Sequence, residues 1–245
     1  MSHMDVGNVK TPLSLRSACS ETTDQYQNFD HNLMDVGPIE SGEVVPRMIR
    51  NAASLKVKLT YQPNQDNSLK VRVEVENRKA GHKFPTDSPL RHLILVVSAN
   101  DQFGFPLAQV KGEKLPDWAG AGSQNGVEGY AGRPGIIFAN LLVEEATNVS
   151  PTAAYWNKTK YAFTTEDGKN SDTRLVPGEP QASDYFFTVP DFGEMHITVK
   201  LIYRYAFFDL MDQKDWNRPD VLVAVAECLI SPEQANELDC PEIKP

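Results

Sequence analysis

The stretch LKVKLTYQPNQDNSLKVRVEVEN (residues 55–77) decides the fold. Its first part sets Leu55, Val57, Leu59 and Tyr61 against lysines and threonine, and its second sets Leu69, Val71, Val73 and Val75 against charged residues. Alternation with a period of two puts one apolar face on each segment, the pattern of a half-buried strand. QPNQDN between them is turn chemistry, so the two segments predict an antiparallel hairpin.

The pattern persists outward. HLILVVSA (residues 92–99) is a continuous apolar run and predicts a central strand covered on both faces. NDQFG turns into FPLAQV, and further strands are expected in IIFANLLVEE, KYAFTT, ASDYFFTVP, HITVKLIYRYAF and DVLVAVAECLI. Many short strands with little helix point to an all-β fold, an antiparallel two-sheet sandwich of Ig-like or Greek-key type. Helix should stay below about a fifth, under the usual third. Residues 111–133 lack a period and are rich in Gly, Asn, Gln and Ser, so a long surface excursion is expected, functional or mobile. Residues 1–45 read as an extended or disordered arm, 46–232 as the sandwich with a helical turn in PRMIRNAASL, and 233–245 as a tail. MSHM reads as a cloning remnant, which empties His3 of meaning.

Composition narrows the function classes. A net charge of −9 over 245 residues argues against non-specific binding to nucleic acid or anionic membranes. No apolar run of about eighteen residues occurs, so no membrane-spanning helix is expected. The N-terminus lacks the basic and apolar regions of a signal peptide, so any export signal is expected to lie outside this chain. The three cysteines form no CxxC, CxxCH or zinc pattern, and the chain is expected to attach no haem covalently. Cys228 and Cys240 sit close enough for a disulfide, and two free thiols are the other reading; Cys19 is left in the arm. Nucleophile-elbow, Walker, dinucleotide-binding and zinc-protease motifs are all absent, and no enzyme is expected.

AGHKFPT followed by PLRHLILVVSANDQFGFPL, SDTRLVPGEP (residues 171–180) and VKLIYRYAFFDL (residues 199–210) form an ordered set. With DHNL and MIRNAASLKV upstream, they resemble the β-rich C-terminal module of exported multihaem c-type cytochromes. Two departures stand out: Asp87 occupies a position where that module usually has glycine, and no CxxCH is present. The resemblance implies a haem-free accessory or docking module of an electron-transfer protein, periplasmic or extracellular, whose partner is a haem-bearing domain or a redox protein. It marks Gly81, His82, Pro85, Thr86, Arg91, Asp172, Thr173 and Arg174 as motif positions.

Each candidate has a structural alternative. His82 and His31 are candidate axial ligands for a haem supplied by a neighbouring domain, since neutral imidazole suits iron. We expect His82 to be architectural within the module, its imidazole or the Thr86 hydroxyl satisfying backbone groups where the chain crosses between strands. His92 and His196 read as packing or surface residues. TEDGKNSDT offers Asp167, Asn170 and Asp172, and FFDLMDQKDWNRPD offers Asp209, Asp212, Asp215 and Asp220, as oxygen ligands for calcium, without EF-hand spacing. Asp172 could instead cap its own turn through Arg174 or a backbone N–H. A sandwich binding carbohydrate or another cell-surface ligand is the alternative function, with Trp118, Tyr130, Tyr155 and Trp156 as stacking platforms.

Overall fold

The computed structural model describes residues 47–63, 67–86, 88–124, 126–152, 158–161, 171–216, 218–231 and 238–243. His31, Asp87, Tyr155, Trp156, Asp167 and Asn170 lie outside them. The chain divides into the units Met1–Asn51 and Ala52–Pro245. A short helix, α1 (Arg47–Ala52), spans that boundary at the helical turn expected from the sequence.

The strands are β1 (Ala53–Gln62), β2 (Ser68–Asn77), β3 (His92–Asp101), β4 (Gln109–Lys111), β5 (Ser123–Gln124), β6 (Val127–Glu128) and β7 (Gly135–Phe138). They continue with β8 (Leu142–Glu144), β9 (Thr159–Tyr161), β10 (Gln181–Thr188), β11 (Met195–Arg204), β12 (Val221–Ile230), β13 (Leu238–Cys240) and β14 (Glu242–Ile243), and α2 (Phe208–Gln213) lies between β11 and β12. One antiparallel sheet has the order β13-β1-β2-β10-β4 and the other β14-β12-β11-β3-β7. They pack face to face as a sandwich, and helix amounts to 8%.

The 55–77 hairpin forms in the register its alternation requires. Leu55 faces Val75, Val57 faces Val73, Leu59 faces Val71 and Tyr61 faces Leu69. All but Tyr61 are buried, and each aliphatic side chain taken from water contributes about 1.5–3 kcal/mol. β3 is buried on both faces for two separate reasons. Leu93, Leu95 and Val97 are fully buried on one face of β3, which pairs with β11 and β7, and on the other face Ile94 and Val96 pack with Leu115, Ala119, Tyr130 and Ile137. The excursion therefore covers the outer face of the second sheet.

Within the residues expected as a tail, Leu238–Cys240 and Glu242–Ile243 are edge strands. β13 pairs with β1 in one sheet and β14 with β12 in the other, so the last turn of chain closes both sheets at one edge. Cys228 on β12 and Cys240 on β13 form a disulfide that joins the two sheets there.

Candidate functional site

The chain leaves β2 at Asn77 and enters β3 at His92, and both proline-bearing motifs converge on this crossing. Asn77 follows the inward parity of Leu69 to Val75 and is 1% exposed. Its Nδ2 donates to the carbonyls of His82 (2.7 Å) and Leu175 (3.3 Å), and its Oδ1 accepts from the N–H of Ala80 (3.1 Å). Phe84 is buried and exchanges backbone hydrogen bonds with Leu175, N to O 2.9 Å and O to N 2.8 Å. The Phe84–Pro85 peptide bond is cis. The GHKFPT loop is thus tied to the DTRLVPGE segment by a single antiparallel bridge.

The second segment is held just as firmly. Thr173 Oγ1 donates to the Ile137 carbonyl (2.9 Å) and accepts from the Ala139 N–H (3.0 Å). Asp172 accepts from Arg174 Nε (2.8 Å) and Nη2 (2.9 Å) and from Lys83 Nζ (2.9 Å), a bridge between the two motifs. Desolvation pushes the Asp172 carboxyl upward, but the hydrogen bonds from Arg174 and Lys83 and the Arg174 charge outweigh it and hold its pKa at about 2. The expectation that Asp172 caps its own turn is met, since it also accepts from the Arg174 N–H.

The His82 imidazole is exposed and meets one backbone group of the crossing, the carbonyl of Lys83, whereas the His82 and Leu175 carbonyls are satisfied by Asn77. His82 Nδ1 lies 3.1 Å from the Lys83 carbonyl oxygen. A carbonyl only accepts, so Nδ1 carries the proton and the lone pair sits on Nε2. Gly81 beside it is exposed, while Pro85 is buried. The loop is a rigid mount carrying a solvent-facing imidazole in the tautomer that ligates iron through Nε2. The residues present therefore fit an axial-ligand role.

His92, expected to be a packing or surface residue, is fully buried. It lies stacked on Phe207 at 5.4 Å and edge-on to Trp118 at 5.5 Å. Its Nδ1 donates to the Leu90 carbonyl at 2.9 Å, and Nε2 has no hydrogen-bond partner among the described residues. Burial drives its pKa down to about 3, opposed by the bond to Leu90 and reinforced by the Arg204 charge.

Arg204 is the residue whose role the sequence leaves unassigned. It is 0% exposed at the end of β11. Nε and Nη2 grip Asp220 at 2.8 and 2.7 Å, Nη1 donates to the Ala119 carbonyl at 2.9 Å, and Nη2 also donates to the Glu128 carbonyl. Tyr130 and Phe208 lie under the guanidinium at 5.3 and 5.6 Å. This arginine clamps the excursion onto the sheet. Gly120 lets the chain come that close: its φ is +91°, and a Cβ there would lie 2.2 Å from the Phe208 ring.

The other candidates separate. Asp220, expected among calcium ligands, is the counter-ion of Arg204, and burial raises its pKa against that pairing. Asp209, Asp212 and Asp215 are exposed on and after α2, and among the described residues no group of three acidic, His or Cys side chains could hold a metal. Of the four aromatic residues of the stacking alternative, Tyr155 and Trp156 lie outside the described residues, and the other two are engaged in packing. Tyr130 is buried, and Trp118 packs on His92 and Phe207.

A two-sheet antiparallel sandwich with this crossing is what the geometry defines. Among solved structures, a penta-heme cytochrome c552 from Thermochromatium tepidum is similar, with a TM-score of 0.51 and 21% identity over 75% of this chain and 40% of that one. The chain thus spans well under half the length of that cytochrome's chain. No protein-family model and no curated protein matches.

Proposed function

We propose that this chain is a non-catalytic β-module that docks, without haem of its own, on a haem-bearing domain and offers His82 as an axial ligand. The observation that carries the reading is His82: an exposed imidazole with Nδ1–H bonded to its own loop, on backbone pinned by Asn77 and Leu175. A haem, when bound, supplies one-electron chemistry; the protein's part is to fix the ring, its tautomer and its surroundings. The likeness to a penta-heme cytochrome supports the association, and the Cys228–Cys240 bridge supports an oxidising, extracytoplasmic setting.

The test is a titration of this chain into a haem c peptide that has one open axial position. Conversion to a low-spin spectrum by the wild type and by His196→Ala, but not by His82→Ala, is the expected result. Equal conversion by His82→Ala overturns the assignment.

A further inference from the structure

Among the described residues, the most exposed large apolar side chains gather at the end of the sandwich away from His82. Phe103, Phe105 and Phe192 are 70%, 67% and 72% exposed, and Leu229 follows at 62%. Met195, at the start of β11, faces both Asp101 and Ile230, so residues 102–105, residues 189–194 and Leu229 share this end. His82 lies past the opposite end of the strands, and the ten residues of β11 separate the two by about 30 Å. The phenylalanine loops are firmly held. Asp101 Oδ1 accepts from the N–H groups of Phe103 and Phe105 at 2.9 Å each. The Asp101 N–H donates to the Phe105 carbonyl at 2.8 Å, and the Gly104 N–H to the Asp101 carbonyl at 3.0 Å. Gly193 has a φ of +91°, and a Cβ there would lie 2.6 Å from the Gln102 side chain, so the two loops are fitted to each other. Three rings this exposed present on the order of 400 Å² of apolar surface, the size of a functional patch. Held in place, they lose little entropy when covered.

Charge decides what covers them. The segments that turn at this end, residues 60–68, 99–106, 188–196 and 230–238, hold Asp66, Asp101, Asp191, Glu194, Glu233 and Glu237 and no lysine or arginine. Asp66, Glu233 and Glu237 lie outside the described residues and count here by charge alone; His196 is the only side chain in these segments that can turn positive. Lys70 and Lys111, on the adjoining strands β2 and β4, are engaged with Asp184 and the Phe186 ring. An acidic rim repels a second copy of itself and an anionic lipid surface, and attracts lysine and arginine.

We infer that this end is a docking surface for a protein whose own contact patch has an apolar centre ringed by lysine or arginine. Phe103, Phe105 and Phe192 form the centre of the contact and the carboxylates its polar rim. So small an area suits a transient encounter rather than an obligate assembly. Because this surface and His82 lie at opposite ends, it can be occupied whether or not His82 meets a haem.

The probe is an amphipathic helical peptide of roughly 18 residues, a leucine stripe flanked by lysines, titrated into the ¹⁵N-labelled chain and followed by NMR. A leucine–glutamate peptide with the same stripe and a serine–lysine peptide without one are the controls. Saturable shifts at residues 101–105 and 191–195 are expected with the leucine–lysine peptide, and binding about tenfold weaker or less with either control. Phe103→Ser with Phe192→Ser should weaken the leucine–lysine peptide about tenfold at an unchanged urea midpoint, since both rings are exposed. Asp191→Lys with Glu194→Lys is a second variant, and it should shift the preference toward the leucine–glutamate peptide.

Shifts spread over acidic surface elsewhere, or undiminished by the two phenylalanine changes, overturn the site. Equal affinity for the two leucine peptides overturns the basic partner. Wild-type binding to phosphatidylcholine vesicles that the phenylalanine variant abolishes assigns the tip to a lipid surface, and a concentration-dependent dimer abolished in the same way assigns it to a second copy; either result overturns the proposal. His82→Ala should leave all of these readings unchanged, which keeps them separate from the haem titration.

Discussion

At Asn77 one side-chain amide ties three backbone groups, donating to the carbonyls of His82 and Leu175 and accepting from the Ala80 N–H. Replacing it with leucine keeps the volume and strips the partners, which leaves the buried Leu175 carbonyl unmet at about 1–3 kcal/mol, the two part-buried groups costing less because water reaches them. We therefore expect Asn77→Leu to lower stability by about 2–3 kcal/mol, and His82→Ala, at an exposed ring, to change it by about 0.5 kcal/mol or less. Urea midpoints at constant slope measure both, and a His82→Ala loss as large as that of Asn77→Leu would restore His82 to the architectural role. Asn77 was legible in outline: it continues the parity of Leu69, Val71, Val73 and Val75, so a polar side chain falls on an inward position. Its far partner was not, because Leu175 is 98 residues away and nothing local encodes that meeting.

Strands reveal themselves through a local period, and their closures do not. The β1–β2 hairpin and the doubly buried β3 follow from alternation and continuous apolarity, whereas the excursion meets the sheet through isolated side chains such as Leu115, Ala119 and Tyr130 that form no pattern. Arg204 makes that contact, with Asp220 as its counter-ion. Removing one partner of a buried ion pair strands the other, so Arg204→Met should cost about 3–5 kcal/mol, while the double change Arg204→Met with Asp220→Leu should recover most of it. Denaturant unfolding reads the energies, and amide exchange at residues 115–133 should accelerate in the single variant first; uniform loss across the domain contradicts a local clamp. At the opposite end of the chain, β13 and β14 are too short for a period to show. The Cys228–Cys240 bridge closes a loop with a sequence separation of 12 and joins the sheets. Changing both cysteines to serine should cost about 2–3 kcal/mol in denaturant unfolding, and a loss under about 0.5 kcal/mol would mean that β-pairing alone holds the edge.

For the molecule as a whole, acid stability brings these groups together. The folded state holds His92 neutral, with its pKa near 3 against 6.5 in an unfolded chain. Between those values the unfolded state binds one more proton than the folded one, so this contribution is complete above pH 6.5 and is lost progressively down to about pH 3. The slope for one proton is about 1.4 kcal/mol per pH unit. Asp172 acts lower on the scale. Its folded pKa of about 2 lies below the ordinary 3.8, so its contribution is present above pH 4 and is lost as pH falls toward 2. The sandwich should therefore weaken in two stages, first through a residue enclosed by the excursion and then through the ion pair that joins the two motifs. Urea midpoints at half-unit steps from pH 7.5 to 2.5 follow both. His92→Phe, which keeps an aromatic ring between Trp118 and Phe207, should flatten the upper stage and leave the lower one; a wild-type profile level from pH 7 to 4 would show that protonation of His92 does not oppose folding.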